Sequence, residues 1–443
     1  MGITFNFHCY AGGEKINSGR ELAIYSPYDG RLVGNVGLAS AKDTQRAIAL
    51  AGKGGEPLTR FQRYDILNNA QRLLGERREE FARLISAESG LCMQETRYEV
   101  GRAMDVLLFA AMETIHDKGE VFSCDISPNG KPRKIFTIRE PLSLAVAITP
   151  FNHPLNQVVH KIAPALAVGT PVILKPSEKT PLSAIRFTEL LYEAGLPGYM
   201  LSVLLGPVNE VAEVLVQDPR VQLVSFTGSV SVGKKIAQTA GYKKVILELG
   251  GNDPLIILED ASLELAVTLA AEGAFRNSGQ RCTAVKRILV QESIHDEFVD
   301  AFIERTKEYI CGDPSDDNTR VGTVIDEASA IRLEKVMQEA IAQGGSLLYG
   351  GKRSGALLEP AVITNVPRHA EIIVSESFGP LAPVLAVKDL DDAIEVANGT
   401  AYGLSSGIVT NNMKLAMHAI KHLQVGTVNI NEVPGYRIES SPF

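Results

Sequence analysis

The residues best suited to covalent chemistry meet in one short run, Asn277-Ser278-Gly279-Gln280-Arg281-Cys282-Thr283. Cys282 follows a helical pattern and precedes a strand pattern, so it falls on a glycine-containing turn with a guanidinium beside it in the chain. That setting suits an exposed thiol of lowered pKa, the form of cysteine that attacks electrophiles, with a buried structural cysteine as the alternative. The other cysteines, Cys9, Cys92, Cys124 and Cys311, are widely spaced, and the total of five is odd. They read as structural thiols in a reducing compartment, with the cytoplasm as the expected location.

Glu248 closes the apolar run Val245-Ile246-Leu247-Glu248-Leu249-Gly250-Gly251. A carboxylate in such a run must be paired, protonated or employed, because burying it ionised and alone is costly. A raised pKa would suit a general base for water, and a structural salt bridge is the alternative. Asn152 stands in a turn between Pro150 and Pro154, where its amide could face an oxyanion or satisfy its own turn. The run 226–233, Phe-Thr-Gly-Ser-Val-Ser-Val-Gly, follows a strand and opens a helix, as a pyrophosphate site or an ordinary βα turn would. Its G-x-x-x-x-G spacing is neither the dinucleotide fingerprint nor a P-loop. Lys175-Pro176-Ser177-Glu178 ends another strand, with a cation and a carboxylate placed to hold ribose hydroxyls or to cap the next helix. His418 and His422 have a metal-compatible spacing, but without an acidic third ligand in register no metal is expected.

Helices are predicted over 40–51, 59–74, 78–89 and 93–115, so that helices dominate the opening part, followed by a strand pair over 120–126 and 134–140. Strands at 144–149, 171–175, 201–205 and 223–227 then alternate with helices at 155–167, 182–194, 210–216 and 232–240. Such alternation predicts a parallel sheet covered on both faces. A second series runs through 244–249, 255–258, a helix at 263–275, 287–291 and a helix at 294–309, with Gly250-Gly251 as the hinge. The fold class is α/β. The 443 residues suit two or three domains, and 45% apolar with 22% charged residues excludes a disordered or fibrous chain. The net charge of −8 argues against nucleic acid or an anionic membrane as partner. Residues 1–10 lack the features of a signal peptide, and the uncharged run 141–160 is broken by three prolines, two asparagines and a glutamine, unlike a membrane span.

Together, Pro150-Phe151-Asn152-His153-Pro154-Leu155, Lys175-Pro176-Ser177-Glu178, Phe226-Thr227-Gly228-Ser229, Glu248-Leu249-Gly250-Gly251, Gly279-Gln280-Arg281-Cys282 and Glu376-Ser377-Phe378-Gly379-Pro380 resemble the NAD(P)-dependent aldehyde dehydrogenase superfamily, in order and spacing over nearly the whole chain. The resemblance implies two Rossmann-like α/β domains plus a small β oligomerisation element. Residues 1–119 and 142–249 would bind NAD, 250–430 would form the catalytic domain, and 120–141 with 431–443 the oligomerisation element of a homodimer or homotetramer. It also implies roles. Cys282 attacks an aldehyde, and the side-chain amide of Asn152 with the Cys282 N–H holds the resulting oxyanion. Glu248 activates the water that hydrolyses the later thioester. Thr149, Pro150, Lys175, Ser177, Glu178, Gly228, Ser229, Leu249, Glu376 and Phe378 are the implied cofactor contacts. The Glu178 carboxylate would repel a 2′-phosphate, which favours NAD over NADP.

Arg281 beside the nucleophile, His153 after Asn152 and Arg102 on the helix at 93–115 are expected to gather around the thiol, the alternatives being a solvated Arg102, an Arg281 that only lowers the thiol pKa or pairs with an acid, and a satisfied core His153. Ser440 would stand at the channel rim, with Arg437 a weaker candidate there. Two guanidiniums and an imidazole suit a small anion, above all a phosphonate, because bidentate guanidinium contacts match a tetrahedral oxyanion. The runs 152–157 and 279–287 are similar to those of relatives that act on phosphonoacetaldehyde, which implies its oxidation to phosphonoacetate. Lactaldehyde, succinate semialdehyde and sulfoacetaldehyde are competing substrates. A CoA-acylating enzyme would not need Glu248, and a non-catalytic relative would be expected to lack Cys282, Asn152 or Glu248. The sequence ends at Phe443, where relatives are expected to continue into a Gly-rich loop and an interface strand.

Overall fold

The computed structural model describes residues 5–53, 55–116 and 118–441. Pro442 and Phe443, with which the implied oligomerisation element ends, lie outside them, as do Met1 to Thr4 of the segment read for a signal peptide.

Two seven-stranded sheets organise the chain. In the first, the buried apolar runs Ala145–Ile148 and Val172–Lys175 and the strands Leu201–Val203, Leu223–Thr227 and Lys244–Glu248 pair in parallel. Parallel strands need crossover helices, which cover both faces. From Ala145–Ile148 the chain moves to one side for the next two strands, then returns to its other side for Leu223–Thr227. The strand order therefore reverses between Ala145–Ile148 and Leu223–Thr227, the position where open α/β sheets form a ligand crevice at their carboxyl ends. Register puts Ile148 opposite Lys175 and Phe226, and Thr227 opposite Glu248. Thr149, Lys175, Gly228 and Leu249 thus emerge along one edge.

The second sheet runs Ser346–Tyr349, Ala361–Thr364, Leu381–Val387, Val285–Gln291, Asp253–Ile257, Ser405–Val409 and Thr427–Ile430, with only the first pair antiparallel. The first sheet's buried apolar cluster spans residues 7–240, and two further clusters line the second sheet.

Helices Ala41–Leu50, Arg60–Glu76, Arg78–Ser89 and Met93–Thr114 dominate the opening part as expected, but it also holds strands that the sequence did not mark. Phe5–Phe7, Leu32–Gly37 and Glu21–Tyr25 form a small separate sheet, and Tyr10–Ala11 with Glu14–Lys15 extend the first sheet by antiparallel pairing to Val203. Tyr10–Ala11 and Glu14–Lys15 are two residues each, and Val203, which joins them to the sheet, lies far along the chain, so no local alternation marks them. The excursion hairpin contracts to Val121–Ser123 paired with Lys134–Phe136.

Two buried glutamates fix helix starts from outside their own helices. Glu88 accepts from the N–H groups of Leu182 and Ser183 at 2.7 and 3.0 Å. Glu99 accepts from those of Leu155 and Asn156 at 2.8 and 2.9 Å. Each carboxyl group lies at the positive end of a helix and accepts from donors left free in its first turn. Glu99 thereby anchors the turn that carries Asn152.

Candidate active site

After helix Leu263–Phe275 the backbone turns through three successive left-handed residues, Asn277 (φ 57°), Ser278 (φ 53°) and Gly279 (φ 68°). The two non-glycine residues store about 1–3 kcal/mol of strain each. Side-chain bonds hold them there. Asn277 Nδ2 donates to Asn152 O at 3.0 Å and to Gln280 O at 3.3 Å, and Ser278 Oγ donates to Gly322 O at 3.2 Å. Gln280 Oε1 accepts from Ile325 N at 2.9 Å. Gly279 is required as well, because a Cβ there would collide with the Gly379 carbonyl. The turn delivers Cys282, half-buried, next to Gly250-Gly251, where a Cβ on Gly251 would come 2.5 Å from the Cys282 carbonyl.

The sequence predicts a lowered pKa for this thiol, and the structure reverses that expectation. Burial pushes it up, the Lys286 ammonium opposes that, and Asp253 and Glu376 add to it. Arg281 directs one guanidinium nitrogen to the carbonyls of Glu272 and Gly273 at 3.1 and 2.8 Å, near the end of the preceding helix. Its Nε is buried without a hydrogen-bond partner.

Asn152 is buried, and its Nδ2 donates to Gln280 O at 2.8 Å, two residues before Cys282. The side-chain amide is therefore aimed at the turn that carries Cys282. Replacing Asn152 by alanine is expected to lower kcat roughly 10²–10³-fold, the usual cost of one oxyanion donor, with little change in KM. Steady-state assay of a variant with an unchanged circular dichroism spectrum checks this.

Glu248 ends its strand half-buried, and burial raises its carboxyl pKa against the pull of Lys161 and, more weakly, Arg437. Lys161 itself is pushed down to about 8 by burial, against the pull of Glu248, and donates to Ser225 Oγ at 2.9 Å. Sequence reasoning missed Lys161. The available signal was its being the only Asp, Glu, Lys or Arg in helix Asn156–Val168.

Along the first sheet's carboxyl edge, Thr149 N donates to Lys175 O at 3.2 Å, while its buried hydroxyl has no partner. Pro150 follows, half-buried. Lys175 Nζ lies 3.0 Å from Glu178 Oε2. Burial alone would raise the Glu178 carboxyl, but Lys175 brings it below its ordinary value. Ser177 is buried, its hydroxyl accepting from Lys179 N at 3.2 Å. Gly228 N donates to Glu248 O at 3.0 Å, and Ser229 caps helix Val230–Thr239, leaving a helix N-terminus at the crevice. Leu249 packs so tightly on this helix that Gly233 has no room for a Cβ. From the second sheet's side, Glu376 Oε1 accepts from Gly251 N at 3.3 Å and lies 3.7 Å from Lys286 Nζ. Phe378 adopts a left-handed φ of 60° and meets Phe151 edge-on, ring centroids 5.8 Å apart.

Of the expected cluster of Arg102, His153 and Arg281, each has a partner of its own. Arg102 Nε donates to Glu439 Oε1 at 2.7 Å, and Glu439 Oε2 lies 2.9 Å from His160 Nε2. Burial would raise the Glu439 carboxyl, but His160 and Arg102 hold it down at about 2. His153 Nδ1 is 3.6 Å from Glu99 Oε2, and Ser440 is exposed. Arg102 and His153 each answer to an acid far away in sequence, Glu439 and Glu99, whereas Arg281 answers to the end of the helix just before it. Arg437, read only as a weak rim candidate, feels Arg102, Glu439, Glu248 and Cys282 together. His418 Nε2 pairs with Asp391 Oδ1 at 2.7 Å, and among the described residues no three His, Cys, Asp or Glu side chains gather as a metal site.

The family model described as "Aldehyde dehydrogenase family" matches residues 15–443. The chain belongs to the aldehyde dehydrogenase family. It is 36% identical to the 3-sulfolactaldehyde dehydrogenase of Priestia aryabhattai over 435 residues, covering 98% of this chain and 91% of that one. With a lactaldehyde dehydrogenase of Methanococcus maripaludis it shares 37% identity over 430 residues, 96% of this chain and 91% of the relative. Among solved structures, an NADP-dependent glyceraldehyde-3-phosphate dehydrogenase from Bacillus halodurans, complexed with NADP, superposes with a TM-score of 0.93 at 35% identity, over 97% of this chain and 91% of that one. The enzymes of this family are NAD(P)-dependent oxidoreductases, and this α/β chain has their fold. Its crevice fits a dinucleotide. A buried hydroxyl without a partner at Thr149, a capped helix start at Ser229 and a Lys–carboxylate pair at 175 and 178 are donors and acceptors of the kinds that phosphates and ribose require. No described helix is long and apolar enough to cross a membrane.

Proposed function

We propose that the protein oxidises a small anionic aldehyde to its carboxylate, foremost phosphonoacetaldehyde to phosphonoacetate, by way of a covalent adduct on Cys282. Bound NAD(P) supplies the hydride acceptor. Cys282 adds as the thiolate, its proton already lost to solvent, forming a C–S bond to the aldehyde carbon, and the carbonyl oxygen becomes an oxyanion shared by the Asn152 amide and the Cys282 N–H. Loss of hydride leaves a thioester on the same sulfur. Glu248 takes a proton from water, whose oxygen displaces the thiolate and releases the acid. Thr149, Pro150, Ser177, Gly228, Ser229, Leu249, Glu376 and Phe378 would line the cofactor, with Lys175 and Glu178 at its ribose. A 2′-phosphate would meet the Glu178 carboxylate, so NAD is the preferred form. The apolar residues Phe122, Ile135 and Phe136 on the exposed hairpin suit contact with a second copy, in a homodimer or homotetramer.

The observation supporting an anionic substrate is Arg437, a cation within electrostatic reach of both the nucleophile and the base and beside Arg102. Arg281, whose Nε is buried without a partner next to Cys282, adds to it. A sulfonate presents the same tetrahedral oxygens as a phosphonate, and the relative named for 3-sulfolactaldehyde favours that second reading. A panel of phosphonoacetaldehyde, 3-sulfolactaldehyde, lactaldehyde, succinate semialdehyde, sulfoacetaldehyde and propanal, followed by NADH formation, tests both. Phosphonoacetaldehyde should have the highest kcat/KM. A lead for 3-sulfolactaldehyde decides for the sulfonate, and no preference for anions over propanal ends the proposal. Arg437→Ala should raise KM for the preferred anion by about 10–150-fold, the range for losing one charged hydrogen bond, with a much smaller rise for propanal.

A further inference from the structure

Lys286 lies on strand Val285–Gln291 with a side chain only 2% exposed. A lysine ammonium is almost never buried so completely without a demanding set of partners. Here the partners belong to the nucleophile turn. Nζ donates to Arg281 O at 2.9 Å and to Cys282 O at 2.7 Å, with Ala284 O at 3.4 Å, and lies 3.7 Å from Glu376 Oε1. The missing side chain at Gly251 keeps the space beside the Cys282 carbonyl clear.

The Arg281 carbonyl and the Cys282 N–H are two ends of one peptide unit. Peptides are planar, so fixing the oxygen fixes the direction of the N–H. A cation on the oxygen also draws charge out of the amide and makes its N–H a stronger donor, since linked hydrogen bonds polarise one another. We propose that Lys286 is a positioning residue that orients and polarises the Arg281–Cys282 peptide, so that the Cys282 N–H is aimed and strengthened as an oxyanion donor. The inference rests on the reading of Cys282 as the nucleophile. Arg287, the next residue, provides a contrast: its buried guanidinium serves Asn252 O, Val396 O and Ala397 O, and none of the residues of the nucleophile turn.

The same ammonium acts on the thiol. The charged groups bearing on Cys282 are Lys286, Asp253 and Glu376, together with Arg281 and Arg437, which feel it in return. Removing Lys286 takes away the cation that opposes the effect of burial.

The test is Lys286→Met in the full chain, assayed with propanal so that substrate charge plays no part, beside Lys286→Arg and Cys282→Ala. For a folded Lys286→Met protein, kcat should fall about tenfold or more while KM stays within threefold. The pH midpoint for iodoacetamide labelling of Cys282, followed by peptide mass spectrometry, should move upward. Lys286→Arg should recover part of both. If Lys286→Met does not fold, Lys286→Gln retains a donor without the charge and should give the same two shifts. An unchanged labelling profile, or a kcat within threefold of the parent, in a folded variant overturns the proposal. Full activity in Cys282→Ala would instead overturn the nucleophile reading beneath it.

Discussion

Cys282→Ala is expected to lower aldehyde-dependent NADH formation by about 10⁴-fold or more, the scale seen when a covalent nucleophile is removed. Alanine keeps the Cβ and deletes one half-buried sulfur, so the left-handed turn should persist and dinucleotide binding should be unaffected. Nucleotide titration of the variant provides that control. The pH dependence follows from the thiol's surroundings. Burial raises the Cys282 pKa, with Lys286 opposing, so at neutral pH the thiolate is the minor form. The rate of adduct formation should therefore climb as pH rises toward that pKa, without reaching a plateau near neutrality. The buried Cys9 and Cys92, each pushed up to about 11, carry no comparable burden. Serine in place of either should leave kcat within a few-fold. Should Cys282→Ala retain measurable turnover and Cys9→Ser abolish it, the catalytic assignment fails.

What could be read in advance follows from whether the signal is local. Helices Arg78–Ser89 and Leu263–Phe275 and strand Leu223–Thr227 sit where their apolar periods put them, because each packs one face on a core and ends at its own cap or turn. Tyr10–Ala11 could not be read so, being two residues completed by Val203. The site divides in the same way. Cys282, Asn152 and Glu248 are conspicuous as reactive types in glycine-rich or apolar runs. The fate of a cation is a matter of partners, however, and neither Glu439 beside Arg102 nor Glu99 beside His153 is marked by spacing. Lys161 and Lys286 show the converse. Lys161 is the only Asp, Glu, Lys or Arg of its helix and Lys286 stands directly before Arg287, and what each does appears only once the fold brings Glu248 to the first and the Cys282 carbonyl to the second.

Glu248→Ala should separate the two halves of the reaction. Forming the thiohemiacetal and passing on hydride do not require a base for water, so a rapid burst of NADH of about one equivalent per site should survive. Hydrolysis does require it, and the steady rate after the burst should fall roughly 10²–10⁴-fold, the usual range for a general base. The thioester then accumulates, and mass spectrometry of acid-quenched enzyme should find the acyl group on the peptide that contains Cys282. The pH dependence has a definite sign. Glu248 abstracts a proton only as the carboxylate, and burial raises its pKa, so steady turnover of the parent should be lost as pH falls through that raised value. The alanine variant should lose that acid limb. Lys161 stabilises the carboxylate form, so Lys161→Met should raise the Glu248 pKa further and move the limb to higher pH with the burst intact. Steady hydrolysis at the parent rate in Glu248→Ala would remove Glu248 from the mechanism, and an acid limb unmoved in Lys161→Met would uncouple the lysine from it.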